Sequence, residues 1–211
     1  MHSLINKIQS KIKSNIFLDY DMRKSTWFRA GGNALGYVIV NSISDLKTII
    51  NYSDLIKYYI VGVGSNLMVR DGGFNGLIIK LGKNFNKIKI NKDTLSVGAG
   101  VLDVNLAKFA LKNLIKDFEF LSGIPGTIGG AIKMNAGCYG SQTADNLKRI
   151  LVINKLGKII YLTKDELELK YRSSNLTDEL IVLKADFSYQ YSSESEIIEK
   201  KNYIKLKREN S

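Results

Sequence analysis

The stretch Phe120–Gly140, FLSGIPGTIGGAIKMNAGCYG, constrains this chain more than any other. It holds the only proline, and glycines at 123, 126, 129, 130, 137 and 140 with Ser122, Thr127 and Asn135 among them. Glycines this dense let the backbone come close to a bulky group and take φ > 0 where other residues do not. Pro125 fixes its own φ and stiffens the entry to the bend. A plain surface turn needs one or two glycines rather than six interleaved with apolar residues. The pattern predicts a short helix over Ala131–Met134, whose first amides, lacking internal partners, would make an anion site.

A second stretch of this character lies upstream. Tyr58–Val61 reads as a strand feeding Gly62-Val63-Gly64-Ser65-Asn66-Leu67, with Val69-Arg70-Asp71-Gly72-Gly73 behind it. No Gly-Lys-Ser/Thr follows at phosphate-loop spacing, and Leu67 stands where the dinucleotide fingerprint needs a third glycine. Two glycine loops with hydroxyl residues, each after an apolar run, suggest a pyrophosphate held from two sides by backbone amides.

Together the motifs resemble those of the UDP-N-acetylenolpyruvoylglucosamine reductase (MurB) family. They are Gly-x-Gly-Ser-Asn-Leu (62–67), Gly-Ile-Pro-Gly-Thr-Ile-Gly-Gly (123–130), Met-Asn-Ala-Gly-x-Tyr-Gly (134–140) and Tyr-Arg-Ser-Ser (171–174). The opening Ser25–Gly32 is similar to that family's Thr-x-Phe-x-x-Gly-Gly start, and the ordered likeness runs from about Asn15 to Lys207. The resemblance implies an α+β, two-subdomain FAD-binding fold of the PCMH / vanillyl-alcohol-oxidase type with the cofactor between the subdomains. It implies reduction of UDP-N-acetylglucosamine enolpyruvate to UDP-N-acetylmuramate with NADPH, in peptidoglycan precursor synthesis.

Carried over residue by residue, the resemblance puts Gly62, Gly64, Ser65, Asn66 and Leu67 on the FAD diphosphate. Ile124, Pro125, Gly126, Thr127, Gly129 and Gly130 would complete the cradle, and Asn135, Ala136 and Gly137 would lie near the flavin ring or ribityl chain. Arg172 is implied as the catalytic group that stabilises the enolate formed on hydride transfer, since a guanidinium is a permanently charged planar donor fork. Tyr139 and Tyr171 match tyrosines lining the substrate site. Cys138 stands where the family often has alanine and reads as a small buried residue.

What the sequence lacks points the same way. The only histidine is His2 and there is one cysteine, which argues against histidine acid–base chemistry, a Cys/His metal site and a disulfide, and for a reducing, cytoplasmic setting. The reactive atoms then belong to a cofactor. The net charge of +11 comes from scattered lysines without an aromatic–basic stripe. It reads as compositional bias that attracts anionic nucleotides rather than a nucleic-acid surface. No apolar run approaches a membrane span, and no signal peptide is legible.

Leu4, Ile8, Ile12 and Ile16 recur every fourth residue and predict an amphipathic helix that docks on its own domain. Strands are predicted at Gly36–Val40, Tyr58–Val63, Leu77–Ile79, Leu95–Val97 and Leu180–Phe187, with a helix from about Ser44 making a βαβ unit. A helix over Leu102–Leu114 takes Asp103 as cap and turns Leu106, Phe109, Ala110 and Leu114 inward. A hairpin joins Ile150–Ile153 to Ile159–Leu162, one or two helical turns follow at Lys164–Leu169, and a helix covers Glu194–Glu209. This divides the chain into a lead-in (1–22), an FAD-binding subdomain 1 (23–85), a subdomain 2 (86–190) and a C-terminal helix (191–211), with the seam between Lys80 and Asn91.

The family continues into a substrate-binding domain carrying a proton-donating serine in Gly-Ser-x-Phe and a late glutamate. Nothing in residues 190–211 resembles either. The expectation is a truncated or split reductase, its missing domain supplied by a second chain, with Ile197, Ile198 and Ile204 leaving an apolar patch on the last helix. The alternatives are a non-catalytic FAD- or nucleotide-binding remnant, or less favoured, a basic RNA-binding module.

Overall fold

The computed structural model describes residues 1–210. They form two compact units. The first is Met1–Phe85 with Val152–Ile160 and Thr177–Ile181, and the second holds Asn86–Leu151, Tyr161–Leu176 and Val182 onward. The two short inserts fall inside the span that the linear reading gives to a single second subdomain.

In the first unit α1 (His2–Gln9) leads into β1 (Ile16–Asp21), followed by β2 (Asn33–Val40), α2 (Ile43–Ile50), β3 (Tyr58–Val61) and β4 (Phe74–Leu81). The sheet order is β1-β2-β4-β3. β1 is antiparallel to β2, whereas β2 and β3 each pair parallel with β4. The βαβ unit is therefore closed across an intervening strand. The core gathers Met22, Ala34, Tyr37, Val61 and Ile78, with Leu67 and Val69 packed on it.

The four-residue repeat overstates α1. The helix stops at Gln9, and Ile16 opens a strand instead. The Asp45 side chain on α2 decides this. It accepts hydrogen bonds from the amides of Lys13 and Ser14 and from the Ser14 hydroxyl at 3.2, 2.8 and 2.7 Å, pulling residues 13–14 out of helical pairing. Gln9 Oε1 then accepts from the Ile16 amide at 2.7 Å. Ser42 caps α2, accepting from the Asp45 amide at 3.0 Å.

The second unit contains β5 (Ile88–Ile90), β6 (Leu95–Gly98), α3 (Asp103–Lys112), α4 (Ile128–Lys133) and the short pair β7 (Gly137–Cys138) and β8 (Ser141–Gln142). The chain continues through α5 (Thr143–Asn146), β9 (Leu147–Ile153), β10 (Ile159–Thr163), β11 (Ile181–Phe187) and α6 (Glu194–Glu209), with Val152–Ile160 and Ile181 falling in the first unit and the rest in the second. The main sheet of these strands runs β10-β9-β11-β6-β5. The predicted hairpin is β9–β10, closed by the Asn154 amide on the Lys158 carbonyl at 3.0 Å, and the predicted turns after Lys164 are a 3-10 turn over Asp165–Leu167.

Two features of α3 depart from expectation. Asp103 does not cap it: Leu102 is the N-cap and makes no side-chain bond, while Asp103 is buried as the first helical residue. Leu114 takes φ +56° just past the helix end, which swings its side chain into solvent rather than onto the core. α6 starts at Ser193, whose hydroxyl accepts from the Glu196 amide. It packs on α3 and on the 3-10 turn Glu119–Gly123. Ile197 and Ile204 are thereby 2% and 3% exposed, so of the expected apolar patch only Ile198 remains at the surface.

Candidate functional site

In the first unit the loop Gly62–Leu67 leaves β3, and the apolar pull of Leu67 and Val69 onto the core fastens its far end. Its near wall is the Ser25–Gly32 segment. The Trp27 amide donates to the Gly64 carbonyl at 3.1 Å, and the Thr26 hydroxyl donates to the Ala30 carbonyl at 3.0 Å. Gly64 has φ +70°, and a side chain there would run into the Ser25 carbonyl. Glycine is required at this position on both counts. Asn66 and Met68 are exposed, and Trp27 stands exposed beside them.

In the second unit the glycine stretch is stitched to the turn that precedes α3. The Gly129 and Ile128 amides donate to the Ala99 and Val101 carbonyls at 2.8 and 2.9 Å, and Asp103 donates its amide to Gly126 at 3.1 Å. α4 begins at Ile128, earlier than predicted, with Thr127 as cap accepting from the Gly130 amide. The Ile128, Gly129 and Gly130 amides are thus all taken internally. The free helix start expected from the sequence does not exist, because the Ala99 and Val101 carbonyls and the Thr127 hydroxyl supply its acceptors.

The same unit brings the Met134–Gly140 and Tyr171–Ser174 motifs together. Arg172 donates from its guanidinium to the Gly137 carbonyl at 2.8 Å. Asn135, 2% exposed, donates to Gln142 Oε1 and the Lys170 carbonyl and accepts from the Ala144 amide. The Ser174 hydroxyl donates to Lys133 at 2.7 Å. Asn135, Tyr139 and Arg172 all hold positive φ, at +38°, +51° and +54°. Non-glycine residues keep that conformation only where their surroundings impose it, and such residues gather at functional sites. Tyr171 is 86% exposed with the Arg172 guanidinium 5.3 Å from its ring centre, and Tyr139 is also at the surface.

Sequence reasoning missed Arg208. Its guanidinium covers the Cα of Gly123 and donates weakly to Cys138 Sγ at 4.0 Å. No motif signals this, since Arg208 is one of many basic residues on α6 and its position follows from how that helix docks. Cys138 is half-buried, less enclosed than predicted, and its thiol donates to the Phe120 carbonyl. Burial pushes that thiol up against the opposing pull of Arg208 and Arg172, which keeps it a thiol. Among the described residues no group of three or more His, Cys, Asp or Glu could hold a metal, and no helix is long and apolar enough to cross a membrane.

Residues 34–163 match the family model of an FAD binding domain. The UDP-N-acetylenolpyruvoylglucosamine reductase of Rickettsia typhi is 43% identical over 198 residues, covering 93% of this chain and 67% of its own length. The chain belongs to the UDP-N-acetylenolpyruvoylglucosamine reductase family. The Rickettsia conorii reductase is 42% identical over 195 residues, covering 92% of this chain and 66% of its own length. The chain thus spans about two thirds of the length of the curated family members it matches. Among solved structures, the reductase of this family (MurB) from Thermus caldophilus superposes with a TM-score of 0.82 at 28% identity, over 94% of this chain and 70% of that one. The 6-hydroxy-D-nicotine oxidase of Arthrobacter nicotinovorans aligns at 0.63 and 18% identity, over 85% of this chain and 43% of its own, a likeness of fold alone. The fold is the α+β FAD-binding fold of MurB and vanillyl-alcohol-oxidase-type flavoproteins.

The residues fit such a cofactor in this family member. Gly64 is packed against the Ser25 carbonyl and fixes the course of the Gly62–Leu67 loop, whose Asn66 stands exposed. Beside it Trp27 and Met68, 61% and 72% exposed, offer the apolar surface that a flat heterocycle covers.

Proposed function

We propose that this chain is an FAD-dependent reductase acting on UDP-N-acetylglucosamine enolpyruvate, yielding UDP-N-acetylmuramate for peptidoglycan, with NADPH as the hydride source. Bound FAD supplies the hydride chemistry. Gly62, Gly64, Ser65, Asn66 and Leu67 hold its diphosphate through the main chain. Ile124, Pro125, Gly126, Thr127, Gly129 and Gly130 shape the second part of the cradle, and Asn135, Ala136 and Gly137 sit by the ring or ribityl chain. For Gly129 the contribution is one of shape and close approach, because its amide is already engaged by Ala99. Asn135 likewise acts through its main chain and its bracing of the segment.

The observation that carries the catalytic part is the Arg172–Gly137 hydrogen bond. It fixes one amino group of a permanently charged fork on the segment assigned to the flavin, leaving other donors of the same exposed guanidinium for a substrate carboxylate or a developing enolate oxygen. Tyr139 and Tyr171 flank it with exposed rings that suit a UDP-sugar. The test is the visible spectrum of the purified protein with FAD, then anaerobic NADPH, then substrate. A flavin band that bleaches with NADPH and returns with substrate supports the full reading. A band that NADPH leaves unchanged removes the proposed donor, and failure to take up FAD removes the cofactor assignment.

A further inference from the structure

Asp103 is fully buried, and neither of its carboxyl oxygens has a hydrogen-bond partner. One of them stands 2.5 Å from where a side chain on Gly126 would begin, and the Asp103 amide donates to the Gly126 carbonyl. With the Val101–Ile128 and Ala99–Gly129 hydrogen bonds and the Leu102–Thr127 bridge, the start of α3 forms the floor beneath Ile124–Gly130.

A buried, unpartnered carboxylate is among the least tolerable groups in a protein interior, and such a group keeps its proton instead. Burial is the sole cause that pushes Asp103 up, to about 7, and no neighbouring charge contributes. The charged groups on the elements around it are engaged or exposed. On the 3-10 turn Glu119 accepts from the Asp117 amide and pairs with Lys200. Lys133 on α4 reaches the Leu176 carbonyl, and Lys108 and Lys112 on α3 are exposed. The 123–127 segment carries no charge of its own, and the Arg208 guanidinium that lies over Gly123 is turned to Cys138 Sγ.

Resting on the assignment of this segment to FAD, we propose that Asp103 is a positioning residue whose carboxyl must be uncharged for Ile124–Gly130 to seat the cofactor, so that FAD binding is accompanied by proton uptake at Asp103. A neutral carboxyl tolerates dry contact with Gly126. A carboxylate calls for water that this buried site does not offer, and it sets a negative charge beneath a segment assigned to a diphosphate. The bound state therefore holds the proton more tightly than the free one. Affinity is level below about pH 6 and falls as pH rises through 7, approaching tenfold per pH unit.

The experiment is FAD affinity by flavin fluorescence from pH 5.5 to 9, for the natural chain and Asp103→Asn. The expected result is at least a tenfold weakening between pH 7 and 9 for the natural chain, and a flat profile with tighter binding at pH 9 for the variant. Flat profiles for both, or equal slopes for both, overturn the role of Asp103 and leave the FAD assignment standing. No binding by either at any pH overturns both. Should Asp103→Asn not fold, titration calorimetry of the natural chain at pH 8 in two buffers of different ionisation enthalpy decides. Uptake approaching one proton per FAD supports the proposal, and none overturns it.

Discussion

Arg172 donates to the carbonyl of Gly137 at 2.8 Å across 35 residues of sequence, while its own backbone is held at φ +54°. Two separate loops are thereby locked to one donor. Arg172→Ala is expected to lower turnover of the FAD-loaded protein by roughly 100-fold, about 3 kcal/mol of barrier. Since the side chain lies at the surface, the melting free energy should move by no more than about 0.5 kcal/mol. Single-turnover kinetics beside a denaturant melt check this, and a large loss of stability would assign Arg172 to the scaffold instead.

Gly64→Ala forces a Cβ into left-handed backbone and into the Ser25 carbonyl. The expected loss is about 1–3 kcal/mol of stability together with weaker FAD binding. Thermal melts with and without FAD measure both. A variant of natural stability and affinity would mean that the Ser25–Gly64 contact is dispensable.

Asp45 makes the acid side of the stability profile. Burial raises its carboxyl, but hydrogen bonds from the hydroxyl and amide of Ser14, the amide of Lys13 and the side chain of Ser42 outweigh burial and hold it below the usual value of 3.8. A depressed carboxyl contributes stability that is present above its unfolded value and is lost as pH falls through the folded one. Asp45→Asn should therefore flatten the acid branch below about pH 4. At pH 7 it should cost about 2 kcal/mol. Urea melts at pH 3, 4 and 7 are the check.

Lys200 ties α6 to the turn beneath the glycine stretch, pairing with Asp117 at 2.7 Å and Glu119 at 3.6 Å. Burial works against its charge, and the hydrogen bond to Asp117 with the charge of Glu119 overcomes it. Lys200→Met leaves the buried Glu119 carboxylate unpaired. The pair is partly solvent-exposed on the lysine side, so the expected loss is at the lower end for such breaks, about 2 kcal/mol. Hydrogen exchange should show α6 opening before the rest of its unit, and uniform protection across the unit would count against this.

The features legible in the sequence are those whose signal is local. The Tyr58–Leu67 strand-and-loop and the β9–β10 hairpin around Asn154 and Gly157 depend on neighbours a few residues away. Ile16 was illegible because its spacing from Ile12 fits a helix, and only Asp45, 31 residues from Ser14, tips the segment into β1. Asp103 sits in a capping context, yet the approach of Gly126 from elsewhere in the chain buries it. Arg208 reaches Gly123 only because α6 docks on the Glu119–Gly123 turn, which no pattern within α6 announces. The left-handed backbone of Tyr139 and Arg172 has no counterpart in residue type either, whereas Asn135 is of a type that adopts it more readily.

β3 pairs with β4 and lies at the margin of its sheet, and the Gly62–Leu67 loop hangs from its end. A segment suspended from an outermost strand can gain or lose a residue without breaking any ladder on its far side. Reach toward a ligand can thus be retuned there by insertion, whereas the 123–130 segment, pinned by Ala99, Val101 and Asp103, admits change only through side chains.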